Sequence, residues 1–379
     1  MKKLLFTLTV VFCFTLLAAC GESGASNTPV FDDATAAPME SLEVGEVPGT
    51  ATASPIENIF LIPEYDYNEN KLNMNDLSTG MAASSYSFET AQTPMLVQKT
   101  DGGVAMLSSQ GASDVQNVGG IAIISGDSSA DMMTYWLFDK ELKLQKRYEL
   151  TNAELTDGLE GYVFAISPDG KEVMYAIGDS LYRYTFESQN LEQVAADIGQ
   201  TVYYGAIRYS GSGKYLAFYG DFADGNGTAY GAIDLENRRG KVFSADNFSA
   251  TTLTVNGEYA AIADAVRPAS MGGPTKTGSV LFVDLAGQQG KQIAVESGEE
   301  SGLVSASEDG RFVITCKGGD SPSGVLRAYQ VSDGAKIAEQ DYTMDVNCKP
   351  YSILALGQAA YAVLGTGSGD LLSPAISLH

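Results

Sequence analysis

The chain contains almost no histidine: of its 379 residues, only His379, the last one, is a histidine. Ser-His-Asp and Cys-His nucleophile systems need an imidazole beside the nucleophile, and many zinc sites are built on histidine. One terminal imidazole cannot supply these arrangements. The sequence therefore argues against these classes of enzyme, and it identifies no catalytic residue.

Positive charge is also scarce. The chain has 23 Lys and Arg residues against 47 Asp and Glu residues, which gives a formal net charge of −24. Proteins that bind nucleic acid need a basic surface to neutralise the phosphates. We therefore expect no nucleic-acid partner.

Cysteine is rare, with four residues in the chain. Cys13 and Cys20 lie in the N-terminal segment, which leaves Cys316 and Cys348 for the folded part. An oxidising compartment would allow these two to form a disulfide. Alternatively, both are buried free thiols that pack as small hydrophobic side chains. The sequence leaves both possibilities open.

The N-terminus has the organisation of an export signal. Two lysines at residues 2–3 precede an apolar run over residues 4–17, and the segment Leu-Ala-Ala-Cys follows over residues 17–20. This order is typical of a signal peptide with a small-residue cleavage site. The apolar run is shorter than the roughly 20 residues that a membrane-spanning helix needs. We therefore predict a signal peptide over residues 1–19.

The segment Leu-Ala-Ala-Cys resembles the lipobox of bacterial lipoproteins. The resemblance implies cleavage before Cys20, diacylglycerol on its sulfur, and acylation of the freed amine, so that the chain is anchored in a lipid bilayer. Residues 20–55 contain few large apolar side chains and are predicted to form a flexible, lipidated tether. Gly21 rather than Asp follows the cysteine, which predicts the outer membrane if the bacterium has two membranes. Loss of two lysines with the signal peptide would change the net charge from −24 to −26.

A sequence pattern recurs through the rest of the chain. Residues 164–175 read Phe-Ala-Ile-Ser-Pro-Asp-Gly-Lys-Glu-Val-Met-Tyr, which predicts a strand, a tight turn and a second strand, because Pro and Gly favour turn conformations. Related turns occur at residues 210–214, 254–258 and 307–311, and each is followed by an apolar strand. The recurrence indicates a repeated structural unit.

A second pattern gives the length of the unit. An apolar residue followed by an acidic or small polar residue recurs every 47 to 50 residues and marks the end of a predicted strand. Six copies with these spacings are Phe88-Glu89, Phe138-Asp139, Phe186-Glu187, Ile233-Asp234, Val283-Asp284 and Val331-Ser332, and Ile376-Ser377, 45 residues after the sixth, is a seventh.

Four short strands in each unit of this length indicate an all-β fold, a β-propeller of four-stranded blades over residues 56–379. The seven copies predict seven blades. Six blades are the alternative, because residues 65–80 are polar and rich in asparagine. The last unit ends after its third strand, and we predict that residues 56–62 supply its missing fourth strand and close the ring.

Residues 164–175 are similar to the WD40-like repeats of the bacterial TolB family. The resemblance covers roughly residues 160–315 and implies a propeller fold. By analogy, it also suggests a role in an envelope assembly. The Trp-Asp and Gly-His dipeptides of eukaryotic WD40 proteins are missing.

Three long connections are predicted to lie on one face of the ring: residues 265–279, 219–228 and 317–323. Each joins the second and third strands of its blade. Extended loops that cluster on a rigid scaffold are common binding sites. The candidate binding residues in these loops are Tyr219, Asp221, Asp224, Asn226, Arg267, Lys276 and Lys317.

One of these loops has the composition of a cation site. Asp221, Asp224 and Asn226 place side-chain oxygens in a glycine-rich segment, which suits Ca²⁺. Their spacing departs from that of the EF-hand, and a polar hairpin turn is the more common use of such residues. No other cofactor is predicted.

The sequence thus predicts a membrane-anchored extracytoplasmic lipoprotein whose propeller binds a protein, a peptide or an envelope glycan. The alternative is a propeller enzyme, a hydrolase, lyase or lactonase that uses carboxylates or a divalent cation. Propellers carry many unrelated activities, so the fold does not decide between the two. An enzyme would show Asp, Glu or Asn side chains converging at the mouth of the channel.

Overall fold

The computed structural model describes residues 61–110, 115–118, 121–124, 132–151, 162–245, 248–264, 278–296, 303–318, 321–366 and 369–379. All the regular secondary structure in these ranges is β-strand. The predicted signal peptide, Cys20, the tether and residues 56–60 lie outside the described residues.

The first sheet has three antiparallel strands in chain order, β1 (Leu61–Asp66), β2 (Lys71–Asp76) and β3 (Met81–Ser87). It occupies the polar segment that made six blades an alternative. Leu72 and Met74 of β2 are buried, although asparagines and charged residues surround them in the sequence. The alternation of apolar and polar residues is enough for a strand with one buried face.

The second sheet has four strands and an insertion. Its strands are β4 (Thr93–Thr100), β5 (Gly103–Gln110), β8 (Met132–Asp139) and β9 (Leu144–Thr151). A separate hairpin, β6 (Val115–Val118) and β7 (Ile121–Ile124), lies between its second and third strands.

Three regular four-stranded sheets follow. The third consists of β10 (Tyr162–Ile166), β11 (Glu172–Ile177), β12 (Ser180–Thr185) and β13 (Asn190–Gln193). The fourth consists of β14 (Val202–Tyr209), β15 (Tyr215–Phe222), β16 (Thr228–Asp234) and β17 (Arg239–Ala245). The fifth consists of β18 (Ala250–Asn256), β19 (Tyr259–Asp264), β20 (Ser279–Asp284) and β21 (Gln289–Ala294).

The last two sheets share one long strand, β25 (Lys336–Leu356). Its first half pairs with β24 and its second half with β26. The sixth sheet therefore consists of β22 (Leu303–Ala306), β23 (Phe312–Gly318), β24 (Ser321–Gln330) and the first half of β25. The seventh consists of the second half of β25, β26 (Ala359–Thr366), and the two short strands β27 (Gly369–Leu372) and β28 (Ile376–Ser377), which both pair with β26.

The seven sheets are the blades of a β-propeller, which confirms the predicted fold class. The first strands of successive blades contact one another, from β1 through β4, β10, β14, β18 and β22 to the second half of β25. These first strands are therefore the inner strands of the ring. The described strands support seven blades rather than six.

Three of the predicted marker acids, Asp139, Asp234 and Asp284, are the last residues of the third strands of their blades, whereas the pairs that begin at Phe88, Phe186 and Val331 directly follow theirs. Asp139, Asp234 and Asp284 each turn a carboxylate back toward the following turn, where it accepts backbone N–H bonds, such as Asn237 N to Asp234 Oδ1 at 2.9 Å. The hydrogen bond from the Asn237 backbone lowers the pKa of Asp234. An acid is thus favoured at this position because its side chain holds the turn between the third and fourth strands.

The start of the ring differs from the prediction for residues 56–62. Leu61 and Ile62 pair with Asp76 and Asn75 of β2, so they belong to the inner strand of the first blade. The earlier residues 56–60 lie outside the described part of the chain. Among the described residues, the last blade thus has β25, β26 and the broken strand β27–β28.

Candidate functional site

The strand order defines two faces of the ring. Each inner strand begins on the face that carries the connections between second and third strands, which we call the loop face. It ends on the opposite face, at the turn between the first and second strands, which we call the turn face. The inserted hairpin β6–β7 emerges from the loop face and contacts the inner strands β4 and β10.

A central cavity of about 840 Å³ runs along the inner strands. Its walls are formed by β1, β4, β14, β18, β22 and β25, together with the residue Pro168 that follows β10. The cavity is open and contains both acids and bases, with Glu64 on the first blade, Lys99 on the second and Arg208 on the fourth. Burial lowers the pKa of Lys99, as does the charge of Lys140. This cavity is the central channel of the propeller.

Hydrogen bonds between blades hold the wall of the channel together. Asn256 donates to the carbonyl oxygens of both Ala306 and Ala355, at 3.0 Å each, and so joins the fifth, sixth and seventh blades. On the turn face, backbone bonds join neighbouring turns, such as Gly211 N to Gly257 O at 2.7 Å. Neighbouring blades are therefore joined by hydrogen bonds along the inner ring.

Four polar side chains meet where the first and last blades adjoin: Glu64, Asn75, Tyr351 and Asp370, which we call the carboxyl cluster. Asn75 Nδ2 donates to Glu64 Oε2 at 2.6 Å and to Asp370 Oδ2 at 3.1 Å. Burial raises the pKa of Tyr351, and so do the charge of the Asp370 carboxylate and the hydrogen bond that the Tyr351 hydroxyl donates to it. The cluster joins β1 and β2 of the first blade to β25 and β27 of the last.

The two carboxyl groups of the cluster differ in their surroundings. Asp370 is only 3% exposed, whereas Glu64 opens onto the channel. Burial and the neighbouring Asp370 carboxylate raise the pKa of Glu64 to about 7. Two carboxyl groups held close together avoid repulsion when one of them is protonated. Below about pH 7, the cluster therefore combines a carboxylate with a carboxylic acid.

The loop face carries most of the exposed large apolar side chains of the described residues. Met81, Tyr203, Val346 and Tyr351 lie at this end of their blades, whereas Tyr67 and Leu191 lie toward the turn face. Three of the four, Met81, Val346 and Tyr351, belong to the first, sixth and seventh blades, which are neighbours. We call these three side chains the apolar patch.

The structure shortens the predicted loop over residues 219–228. Tyr219 and Asp221 lie within β15, and Thr228 begins β16, so the connection itself is only residues 223–227. Tyr219 is 6% exposed and packs in the core, where burial raises its pKa to about 12. Of the predicted binding residues here, Asp221, Asp224 and Asn226 are exposed.

The acidic residues of this loop are arranged as a turn. Asp224 Oδ1 and Oδ2 accept bonds from the backbone and side-chain nitrogens of Asn226, at 3.1 and 2.7 Å. Partial desolvation by the surrounding chain raises the pKa of the Asp221 carboxyl, although the residue as a whole is exposed. Across the described ranges, no group of three His, Cys, Asp or Glu side chains is arranged to hold a metal ion. The calcium site stays a prediction.

The other two predicted loops also join second and third strands. Lys317 lies near the end of β23, and β24 begins at Ser321, so this connection is shorter than residues 317–323. Arg267 and Lys276, with the rest of residues 265–277, lie outside the described residues. The predicted clustering on one face follows from the strand order.

Cys316 and Cys348 are both buried in the core of the last two blades. Cys316 Sγ is 3.8 Å from the Tyr342 hydroxyl. Burial raises the pKa of the Cys348 thiol, which makes the reactive thiolate less accessible. Oxidation of the pair to a disulfide stays a prediction.

Sequence reasoning missed two features of this site. Nothing in the spacing of residues 115–124 indicates that they form a hairpin against the inner strands. The carboxyl cluster combines residues 64 and 75 with residues 351 and 370, which only ring closure brings together. The missing fourth strand of the last unit was the one signal that pointed to this junction.

Similarity to a solved β-propeller structure agrees with this architecture. The chain is similar to the Cps50 (Swd1) β-propeller domain of Myceliophteria thermophila, with 12% sequence identity, a TM-score of 0.50, and coverage of 84% of this chain and 96% of that chain. It also resembles Kuenenia stuttgartiensis hydrazine synthase, with 13% identity, a TM-score of 0.47, and coverage of 86% and 98%. No family model and no curated protein matches the sequence. No helix among the described residues is long and apolar enough to span a membrane. The chain thus has the fold of a β-propeller.

Proposed function

We propose that this chain is a lipid-anchored extracytoplasmic binding protein, and that the loop face of its propeller binds a protein, a peptide or an envelope glycan. Acylated Cys20 would hold it in the membrane, and the tether over residues 20–55 would let the propeller reach a partner. A role in an envelope assembly is one form of this function, as the similarity to TolB repeats suggests.

The apolar patch is the observation that carries the binding role. Large apolar side chains that cluster at a surface are favoured at interfaces, where their burial stabilises a complex. Met81, Val346 and Tyr351 lie on three adjacent blades, on the same face as the long connections. Tyrosine is especially suited to such a surface because it combines a large apolar ring with a hydroxyl group.

A crosslinked pull-down from the native envelope tests this role. The lipidated protein is compared with the double variant Met81→Ser and Val346→Ser, which removes apolar area from the patch without altering the core. We expect the double variant to capture about tenfold less partner or still less, because two such contacts contribute at least about 1.4 kcal/mol together. Quantitative mass spectrometry of the captured material measures the ratio.

A matched control lies on the opposite face. Tyr67 and Met81 are both 67% exposed, so Tyr67→Ser with Leu191→Ser removes comparable apolar surface from the turn-face side. This control should capture as much partner as the unaltered protein. Equal capture by the loop-face variant and the unaltered protein would refute the proposed face.

A propeller enzyme that uses carboxylates is the second candidate. The convergence of Glu64, Asn75 and Asp370 favours it, because Glu64 lines the channel and a carboxylic acid beside a carboxylate can act as a general acid and a general base. Purified protein with a panel of glycosides, lactones and uronate polymers would show turnover that falls at least about 100-fold in Glu64→Gln. An absence of turnover on all of them would count against this candidate.

A further inference from the structure

The junction between the first and last blades differs chemically from the other junctions. At three other junctions, side chains of the inner strands donate to backbone carbonyl groups of a neighbouring blade: Gln98 to Ile166 at 2.9 Å, Arg208 to Phe164 at 3.2 Å and Thr254 to Val304 at 2.9 Å. These donors do not change their charge between pH 5 and pH 8. At the first-to-last junction, two carboxyl groups face each other instead.

The geometry forces these two carboxyl groups together. Both accept from the same nitrogen, Asn75 Nδ2, at 2.6 and 3.1 Å, so their oxygens lie within a few ångströms of each other. The backbone of the neighbouring turn adds to the confinement, because a Cβ on Gly80 would lie 3.3 Å from the Asp370 carbonyl oxygen. Two ionised carboxylates in this arrangement repel, whereas one shared proton turns the repulsion into a hydrogen bond.

The charged groups around the pair do not offset this repulsion. Asp66 on β1 adds a further negative charge near Glu64. Tyr351 on β25 is a neutral hydrogen-bonding partner of Asp370. The cation from the adjoining blade is Lys99 on β4, and its Nζ is bonded to the Leu61 carbonyl oxygen at 3.5 Å. The environment therefore favours the protonated form of Glu64, in agreement with the raised pKa of this group.

We propose that Glu64 and Asp370 hold one proton between them and act as a pH-sensitive latch, which closes the ring between the first and last blades in mildly acidic conditions and loosens it above neutral pH. In the closed latch, the Glu64 O–H group donates to the Asp370 carboxylate. Loss of this proton to solvent leaves two anions that share only the Asn75 amide. The latch does not depend on which partner the loop face binds.

The direction of the pH effect follows from the pKa of Glu64, which rises from its ordinary value of 4.5 to about 7 in the folded chain. The folded chain holds the proton more tightly than the unfolded chain. The contribution to stability is therefore complete below about pH 4.5 and is lost as the pH rises through about 7. The loosening should be local to β1, β2, β25 and β27, because these strands carry the cluster.

Amide hydrogen exchange at about pH 5.5 and about pH 8, corrected for the intrinsic exchange rate, tests the latch. In the unaltered protein, we expect corrected exchange in β1 and β27 to be about tenfold faster at the higher pH. A tenfold change in the opening equilibrium has the same free energy as a pKa shift of one unit. Strands β15 and β16, across the ring, should show no such change. Glu64→Gln keeps the shape of the side chain and an N–H donor toward Asp370, so its β1 and β27 should exchange slowly at both pH values.

Two further variants complete the experiment. Glu89→Gln changes an exposed acid of the first blade and should keep the pH response of the unaltered protein. Asp370→Asn removes the repulsion from the other side and should also abolish the response, which provides a second variant if Glu64→Gln does not fold. The latch is refuted if the unaltered protein shows equal corrected exchange at both pH values, or if Glu64→Gln responds as the unaltered protein does.

Discussion

Replacing Cys20 with serine is expected to abolish the incorporation of an alkyne-tagged palmitate into this protein completely. The predicted thioether needs a sulfur nucleophile, and a serine hydroxyl cannot replace it. Each buried methylene contributes about 0.8 kcal/mol to membrane binding, so that two or three acyl chains bind stably where one would not. The unaltered protein should therefore remain in the membrane fraction in high salt and leave it in detergent.

The other cysteines provide matched controls for this labelling. Cys13→Ser changes a residue of the predicted signal peptide and should leave the labelling intact. Cys316→Ser changes a buried thiol of the propeller and should leave it intact as well, since palmitate on a buried thiol would not be tolerated. Unlabelled native protein, or label that persists in Cys20→Ser, would contradict the lipoprotein assignment.

Replacing Phe218 with alanine is expected to lower the free energy of unfolding by about 3–5 kcal/mol, the usual cost of removing a fully buried phenylalanine ring. Phe218 has no exposed surface and lies in the cluster that packs the third blade against the fourth. Its ring meets that of Tyr204 edge to face, with 5.3 Å between centroids. The backbone of Gly231 lies against the ring, and a Cβ at this glycine would be 3.1 Å from Phe218 Cζ.

Urea titration followed by circular dichroism measures this loss of stability. Tyr203→Ala is the control, because this neighbouring tyrosine is 52% exposed and its replacement should change the free energy of unfolding by less than about 0.5 kcal/mol. Equal stability of the Phe218→Ala variant and the unaltered protein would show that the two blades do not share this core.

The repeat made most of the fold predictable. Asp139, Asp234 and Asp284 recur because each carboxylate holds a turn after a third strand, and such local chemistry leaves a regular mark on the sequence. Ser167 shows the same effect in the tight turn, where its buried hydroxyl accepts the backbone N–H of Glu172 at 3.1 Å. The number of blades and the order of their strands could be predicted from such recurring turn residues.

The carboxyl cluster could not be predicted in the same way. Asn75 and Asp370 are 295 residues apart, and their contact depends on the accumulated rotation of seven blades. No local spacing records such a contact. Loop lengths were also overestimated, because polar and aromatic residues such as Tyr219 and Asp221 continue the strand β15 past the point where the apolar pattern ends. Hydrogen bonds to β14 and β16 keep these residues in the sheet.

The position of the ring junction has a consequence for biosynthesis. Because the first blade meets the last, β1 and β2 are synthesised almost 300 residues before Asp370, the partner of Asn75. Ribosomes add roughly 5–20 residues per second, so this interval lasts on the order of 15–60 seconds. During translation, the first blade therefore has one flank without its native neighbour, and every chain truncated before the last blade keeps that flank exposed.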